Sequence, residues 1–265
     1  MNRPEHPDIP DVQSDSDARQ LAIDRVGIRG LRYPIQFVDG AATPQSTVAT
    51  FGAYVALPAD RKGTHMSRLV ALIDEWREPL SLSALPALLD LLLLRLDAEA
   101  GRLEIDFPWF MRKQAPVSGV ESMMDYEVKL RADAAPGSRV VAATVVVPVM
   151  SLCPSSKAIA DYGAHNQRSH LTLTLRPQAG AKVALADWVR VAEEEASCEL
   201  FGLLKRNDEK FVTERAYERP RFVEDLVRGV AARLAGDTRI AGFRVAAENF
   251  ESIHNHSAYA EIVRD

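Results

Sequence analysis

The chain has 265 residues, 47% of them hydrophobic and 26% charged, with a formal net charge of -5 and a pI near 5.8. An acidic chain of this kind offers no broad basic surface for nucleic acid. Two cysteines, Cys153 and Cys198, are too few for a disulfide framework and point to a reducing, cytoplasmic setting. No apolar run reaches membrane-spanning length, since "LLDLLLLRL" is broken by Asp90 and Arg95.

Residues 1–20, "MNRPEHPDIPDVQSDSDARQ", are rich in Pro and Asp and lack a signal-peptide apolar region. They read as a flexible arm. "VGIRGLRYPIQFV" (26–38) and "TVATFGAYVAL" (47–57) are β-branched and aromatic runs bounded by Gly, Pro and Asp, and predict two strands. "HMSRLVALIDEW" then places Leu69, Val70, Ile73 and Trp76 on one helical face. A second helix is expected at about 83–100, with Ser83 as N-cap, Pro86 in the first turn and Gly101 just past the end. "RLEIDFPWF" and "ESMMDYEVKLRA" are the next two strands.

After the turn cluster "DAAPGS" the order restarts. "RVVAATVVVPVMSL" and "HLTLTLRP" predict strands, and "LADWVRVAEEEASCELFGLLKR" one long helix by its apolar spacing of three and four. A short helical piece follows at about 208–217, then the helix "RFVEDLVRGVAARLAG", closed by Gly236. "IAGFRVAAENFES" and "SAYAEIVR" are the last strands. The expected class is α+β: two β-β-α-α-β-β units in tandem, 21–135 and 136–265, with antiparallel sheets and helices on one face. The second unit carries most of the unusual motifs.

One of those motifs is "SLCPSSKAIADYGAHNQRSH", where an apolar strand delivers Cys153 to a polar turn, with His165 twelve residues on. Thiolate and imidazole both suit zinc or ferrous iron. A packed structural cysteine beside a surface histidine is the plain alternative. "ESIHNHSAYA" adds His254 and His256 at i, i+2, which share a face if extended. They also fit simple polar strand-end residues. A catalytic metal site needs three protein ligands and one open position. Lys205, Arg206 and Lys210, with Lys157 and Arg168, could serve a polyanion, or they form a solvated surface. Glu224, in "RFVEDL", could accept two hydrogen bonds from a guanidine-like edge such as N1–H and the 2-amino group of guanine. It also reads as an exposed helix residue. A cysteine-nucleophile hydrolase built on Cys153 and His165 is a further reading.

Taken together, "SLCPSSKAIADYGAHNQRS", "LLKRNDEKFVTERAYERPRFVED" and "ESIHNHSAYAEI" resemble the motifs of the type IB GTP cyclohydrolase family. "DVQ" near the start and "KGTHMSR" at 62–68 fit the same family, so the likeness spans nearly the whole chain. The resemblance implies the tunnelling fold, a homotetramer with active sites between subunits, and no membrane or nucleic-acid partner. It implies conversion of GTP and water to 7,8-dihydroneopterin triphosphate and formate, the first step of folate biosynthesis, with zinc, manganese or ferrous iron as cofactor. In some bacteria the product feeds tRNA modification. It further implies Cys153, His165 and Glu209 as metal ligands, His254 as proton-transfer residue or further ligand, and His256 in support. Glu224 becomes the purine anchor, within a segment that also holds Glu214 and Glu218. The five basic residues then neutralise the triphosphate. One departure stands out. The family reads Cys-Pro-Cys with a second cysteine that takes part in the reaction, whereas this chain has Ser155. A serine is not ionised near pH 7 as a tuned thiol can be. The rival expectation is therefore a weakened or inactive relative that binds a purine or pterin nucleotide or partners an active subunit.

Overall fold

The β-branched runs do form strands, and they form one sheet. The computed structural model of the chain describes residues 11–265. The first half contains β1 (Ile23–Phe37), β2 (Gln45–Leu57), α1 (Met66–Glu75), α2 (Leu85–Leu96), β3 (Gly101–Gln114) and β4 (Glu121–Ala135). The second contains β5 (Ser138–Leu152), α3 (Pro154–Ile159), β6 (Asn166–Pro177), α4 (Leu185–Glu195), β7 (Cys198–Glu199), α5 (Arg206–Glu218), α6 (Val223–Ala235), β8 (Ile240–Asn249) and β9 (Ala258–Arg264). The strands pair antiparallel in the order β1-β2-β3-β4-β5-β6-β8-β9, with the short β7 on β5. Chain neighbours are thus mostly sheet neighbours, as hairpin connections require.

Alternation along the strands decides which face is covered. In β4, Tyr126, Val128, Leu130 and Ala132 are buried while Asp125, Glu127, Lys129 and Arg131 are exposed. The buried face meets α1, α2, α4 and α6 in one continuous core that includes Leu69, Leu88, Trp188 and Leu226. The opposite face is charged along β4 but apolar along much of β5, where Val140, Ala142, Val146, Pro148 and Met150 are only partly covered. All the strand ends nearest the unusual motifs lie at one end of the sheet. They are the C-terminal ends of β1, β3, β5 and β8 and the N-terminal ends of β2, β4, β6 and β9.

Several expectations need correction. The helix predicted from Leu185 through Arg206 stops at Glu195. The Ser197 amide donates to the Met150 carbonyl at 3.1 Å, the Ser197 hydroxyl accepts from Leu152 N–H at 3.0 Å, and Cys198–Glu199 join the sheet on β5. Pairing with an exposed strand edge outweighs the local helical period here. A Cβ on Gly202 would sit 2.6 Å from the Met123 carbonyl oxygen, so the backbone at Gly202 lies tight against β4. On α1 the buried residues are Leu69, Leu72 and Ile73, whereas Val70 is exposed and Trp76 lies beyond the helix. The second helix begins at Leu85, with Ser81 Oγ accepting from the Ala84 amide. It ends at Asp97, which takes the left-handed conformation expected of Gly101. Gly101 instead opens β3. "CPSSK", read as a turn, is a single helical turn and a half, α3. Of the N-terminal arm, residues 1–10 lie outside the described residues. Residues 13–17 pack back on the loop before α1, where the Lys62 amide donates to the Asp15 carbonyl and the Gly63 amide to that of Gln13.

The two halves are joined by charged side chains as well as by the sheet. Lys113 Nζ, at the end of β3, lies 2.6 Å from Glu193 Oε1 on α4, with side chains 9% and 12% exposed. It also donates to the Leu200 carbonyl at 2.7 Å, and the Tyr126 hydroxyl donates to the same Glu193 oxygen at 3.0 Å. Burial pushes the Glu193 carboxyl up, and Lys113 opposes that shift. Burial and the nearby Glu193 charge raise the Tyr126 phenol. Asp39, just after β1, accepts the Leu185 and Ala186 amides at 2.7 and 3.0 Å. It thereby caps α4 from the other half of the chain. Asp208 is fully buried and accepts from the amides of Val117, Ser118 and Lys205 and from the Ser118 hydroxyl. Burial alone would raise its carboxyl, but these donors outweigh burial and hold it well below the usual range.

Removing one partner of a buried pair leaves the other charged and dry. Lys113→Ala is therefore expected to destabilise the protein by about 3–5 kcal/mol, read from urea unfolding. An unchanged midpoint would show that Glu193 finds water or another partner.

Candidate active site

Register places the site. β5 and β6 pair up to Leu152 and Asn166. The next residues out are Cys153 and His165, and the Cys153 amide donates to the His165 carbonyl at 3.1 Å. The eleven-residue excursion between them begins and ends at one point. Ser156 closes it: its amide donates to Cys153 Sγ at 3.4 Å, its hydroxyl to the Cys153 carbonyl at 3.2 Å, and the His165 amide donates to that hydroxyl at 3.2 Å. Ser155 is exposed at the second position of α3.

The His165 side chain is 14% exposed and faces two acceptors. Its Nδ1 lies 3.0 Å from Gln167 Oε1 and 3.9 Å from Glu251 Oε2, whose side chain is 13% exposed. Glu251 arrives from the β8–β9 connection. Asn249 pairs with Ser169, the Phe250 amide donates to the Arg168 carbonyl at 3.0 Å, and the Phe250 ring meets His170 edge-on at 4.8 Å. The same connection carries His254 and His256, both exposed, with rings stacked 5.1 Å apart.

α5 and α6 bring the third segment. The Arg221 amide donates to the Leu152 carbonyl at 2.9 Å, one residue before Cys153. Lys157 Nζ donates to the Tyr217 carbonyl and stands 4.2 Å above the Tyr217 ring. These contacts put the start of α6 beside the Cys153 turn. Glu224, in that first turn, is exposed and in no ion pair among the described residues.

The structure does not bring every predicted residue together. Glu209 is exposed in the first turn of α5. Its neighbour Asp208 is anchored on the β3–β4 turn, while the far end of the helix meets Lys157. A helix rises about 1.5 Å per residue, so the eight residues from Glu209 to Tyr217 span about 12 Å. Lys205 precedes α5, Arg206 opens it, and Lys210 is paired with Glu214 at 2.8 Å. Arg168 is exposed, with Gln167 and Ser169 buried on either side of it. Among the described residues, no three His, Cys, Asp or Glu side chains close into a metal-sized cluster within the chain. The sequence reading missed Glu251, Ser156 and Gln167. Glu251 stood inside a quoted motif, three residues before His254.

The second cysteine does not take part. Cys198 is fully buried beside β5, and burial together with Glu199 pushes its thiol up to about 12. Fully buried and held as the thiol, it presents no thiolate at neutral pH.

A family model described as type I GTP cyclohydrolase FolE2 matches residues 9–260. The chain is 59% identical over 257 residues to the GTP cyclohydrolase FolE2 2 of Cupriavidus metallidurans, covering 97% of this chain and 95% of that protein. It is 57% identical over 263 residues to the GTP cyclohydrolase FolE2 1 of Dechloromonas aromatica, with 99% and 98% covered. Among solved structures, a highly active mutant of Bacillus sp. TB-90 urate oxidase superposes with a TM-score of 0.53 at 7% identity, covering 91% of this chain and 99% of that one. At that identity the likeness concerns the fold alone.

Proposed function

The chain belongs to the type I GTP cyclohydrolase FolE2 family, and on that footing we propose how its residues carry the reaction. It is a type IB GTP cyclohydrolase of the tunnelling fold and acts in folate biosynthesis, converting GTP and water to 7,8-dihydroneopterin triphosphate and formate. The observation that carries the residue assignments is the convergence of Cys153, His165, Glu251, Glu224 and the His254 loop at one end of the sheet.

The donor set fits a divalent metal. Cys153 and His165 are joined backbone to backbone at a strand end, and mixed sulfur, nitrogen and oxygen sites suit zinc or ferrous iron. Cys153 and His165 are the proposed ligands. Glu209 keeps the role of carboxylate ligand by likeness to the family, although the isolated chain leaves it apart from the pair. When bound, zinc, manganese or ferrous iron supplies Lewis acidity that activates water for attack at C8 of the purine. Glu224 accepts N1–H and the 2-amino group and so sets the orientation of the ring. His254, on its exposed loop, moves protons during ring opening, with His256 stacked against it. Lys157, Arg168, Lys205, Arg206 and Lys210 are the proposed counter-charges for the triphosphate. Ile159, Tyr162, Phe222 and Ile253, all exposed, lie on the same three segments that carry the site residues. An apolar rim around a polar site suits completion by a second subunit, in keeping with a homotetramer in the cytoplasm.

Incubation of purified protein with GTP is expected to release formate and yield a fluorescent pterin. Elemental analysis of protein purified without chelators should find one metal per chain, and none in a Cys153→Ala, His165→Ala double variant. Full occupancy in that variant would sink the metal assignment.

Charge-assisted hydrogen bonds contribute about 1.5–3 kcal/mol each. Glu224→Gln should therefore weaken GTP binding by roughly 10- to 100-fold, and ATP should bind the wild type no better than it binds the variant. Equal GTP affinity in both proteins would remove the anchor role.

Ser155 keeps the weakened-enzyme reading alive. It lies two residues from Cys153, across a proline that fixes the turn. Ser155→Cys is expected to leave fold and metal content intact and to raise ring opening about tenfold, equivalent to about 1.4 kcal/mol of barrier. Steady-state rates under reducing conditions decide this. A fully active wild type with an equally fast Ser155→Ala variant would show that residue 155 takes no part.

A further inference from the structure

His165 is the near end of a buried line of side chains that runs across three strands. Its Nδ1 faces Gln167 Oε1 at 3.0 Å. Gln167 Nε2 donates to Ser151 Oγ at 2.8 Å. Ser151 Oγ and Ser169 Oγ are 2.6 Å apart. The Ser169 hydroxyl donates to Asn249 Oδ1 at 2.7 Å. Ser151 and Ser169 are fully buried, Gln167 is 7% exposed and Asn249 3%. No catalytic step proposed above uses these four residues.

Each hydroxyl has one hydrogen, and this sets a direction. Ser169 places its hydrogen on Asn249, so it must accept from Ser151. Ser151 then has no hydrogen left for Gln167 and must accept from the Gln167 amide N–H. The Gln167 carbonyl oxygen is thereby turned towards His165, and it can only accept. Turning the Gln167 amide alone would leave two serine oxygens 2.6 Å apart with no hydrogen between them. The direction reverses only if Asn249 and Gln167 turn together. Glu251 Oε2, at 3.9 Å, adds a second acceptor on the same side of the ring.

We propose that Gln167, Ser151, Ser169 and Asn249 form a one-way hydrogen-bond relay that fixes His165 as the Nδ1–H tautomer, leaves Nε2 bare for the metal, and ties that choice to the connection carrying Glu251 and His254. The four are positioning residues. A histidine ligand whose other nitrogen is held by an acceptor binds metal more tightly and in a fixed orientation, and loss of such a partner costs 10- to 100-fold in affinity. Asn249 is the last residue of β8, so the far end of the relay lies at the root of the loop that the reaction uses. Buried polar chains of this kind stiffen their surroundings only when every member is satisfied.

The inference rests on the metal reading above, and the experiment separates the two. The probe is zinc alone, added to the metal-free full-length protein in competition with a chelating dye. Gln167→Leu, which removes the acceptor, should weaken zinc binding by about 10- to 100-fold. Gln167→Glu loses the N–H that Ser151 accepts, so the serines reverse and Asn249 turns to donate, but it retains an acceptor facing Nδ1, and zinc binding should stay near wild type. Ser169→Ala should speed amide hydrogen exchange over residues 250–257 and weaken zinc by less than Gln167→Leu does. Long-range nitrogen–proton NMR on histidine-labelled, metal-free wild type should show His165 as the Nδ1–H tautomer, a readout that survives even if a variant fails to fold. The Nε2–H tautomer, or folded Gln167→Leu that binds zinc like wild type, would overturn the relay. A wild type that takes up no zinc would overturn the metal reading and the relay with it.

Discussion

One backbone hydrogen bond, from the Cys153 amide to the His165 carbonyl, sets the geometry of the site. It is the first bond beyond the β5–β6 ladder, and it exists because that ladder has one register. A slip by one residue would exchange the two faces of β6. Leu171, Leu173 and Leu175 would leave the core, and Gln167 and Ser169 would leave their buried partners. The apolar pattern of the strand therefore specifies where the polar site forms. The same reasoning extends to β8, whose pairing of Asn249 with Ser169 brings Glu251 to His165.

The helices hold this end of the sheet from outside. α4 is capped by Asp39 and pinned by Lys113 through Glu193. α5 is fixed at its start by Asp208 on the β3–β4 turn and at its end by Lys157 on Tyr217. Each of these contacts joins residues from different parts of the chain, and two of the four set a carboxylate on backbone amides. A carboxylate accepting several N–H donors is a stiff connector, because the donors are directional and already fixed in the backbone. The site is thus built on strand ends, with charged clamps taking the place that a thick hydrophobic layer holds elsewhere in the fold.

Much of this was legible. The strands declared themselves through alternation and β-branched runs, as in "HLTLTLRP", and most element positions agree to within a few residues. The Cys153 and His165 segments stood out because polar turns followed apolar strands, and the likeness to a known family placed them in one site. The missing pieces share a cause. Residues 196–205 kept a helical period, yet Ser197 and Cys198 pair with β5, a partner nearly fifty residues earlier. Glu251 meets a histidine 86 positions before it, which no local pattern can announce. Nothing in the polar run "HNQRS" marks Gln167 and Ser169 as buried, since a polar side chain is buried only when distant partners satisfy it.

The outer edge of β1 has its own consequence. It is the longest strand edge at the margin of the sheet, and its ladder is interrupted twice, between Ile23 and Val26 and again between Arg29 and Leu31, where Gly30 takes a positive φ of 77°. A flat, continuous edge of fifteen residues would be a template for any extended peptide, the starting point of aggregation. The two irregularities bend the margin and break its repeat of outward amides and carbonyls into shorter stretches. A peptide laid along one stretch falls out of step at the next. Only an edge with matching kinks can follow the whole length, so two small irregularities turn an indiscriminate adhesive surface into a selective one.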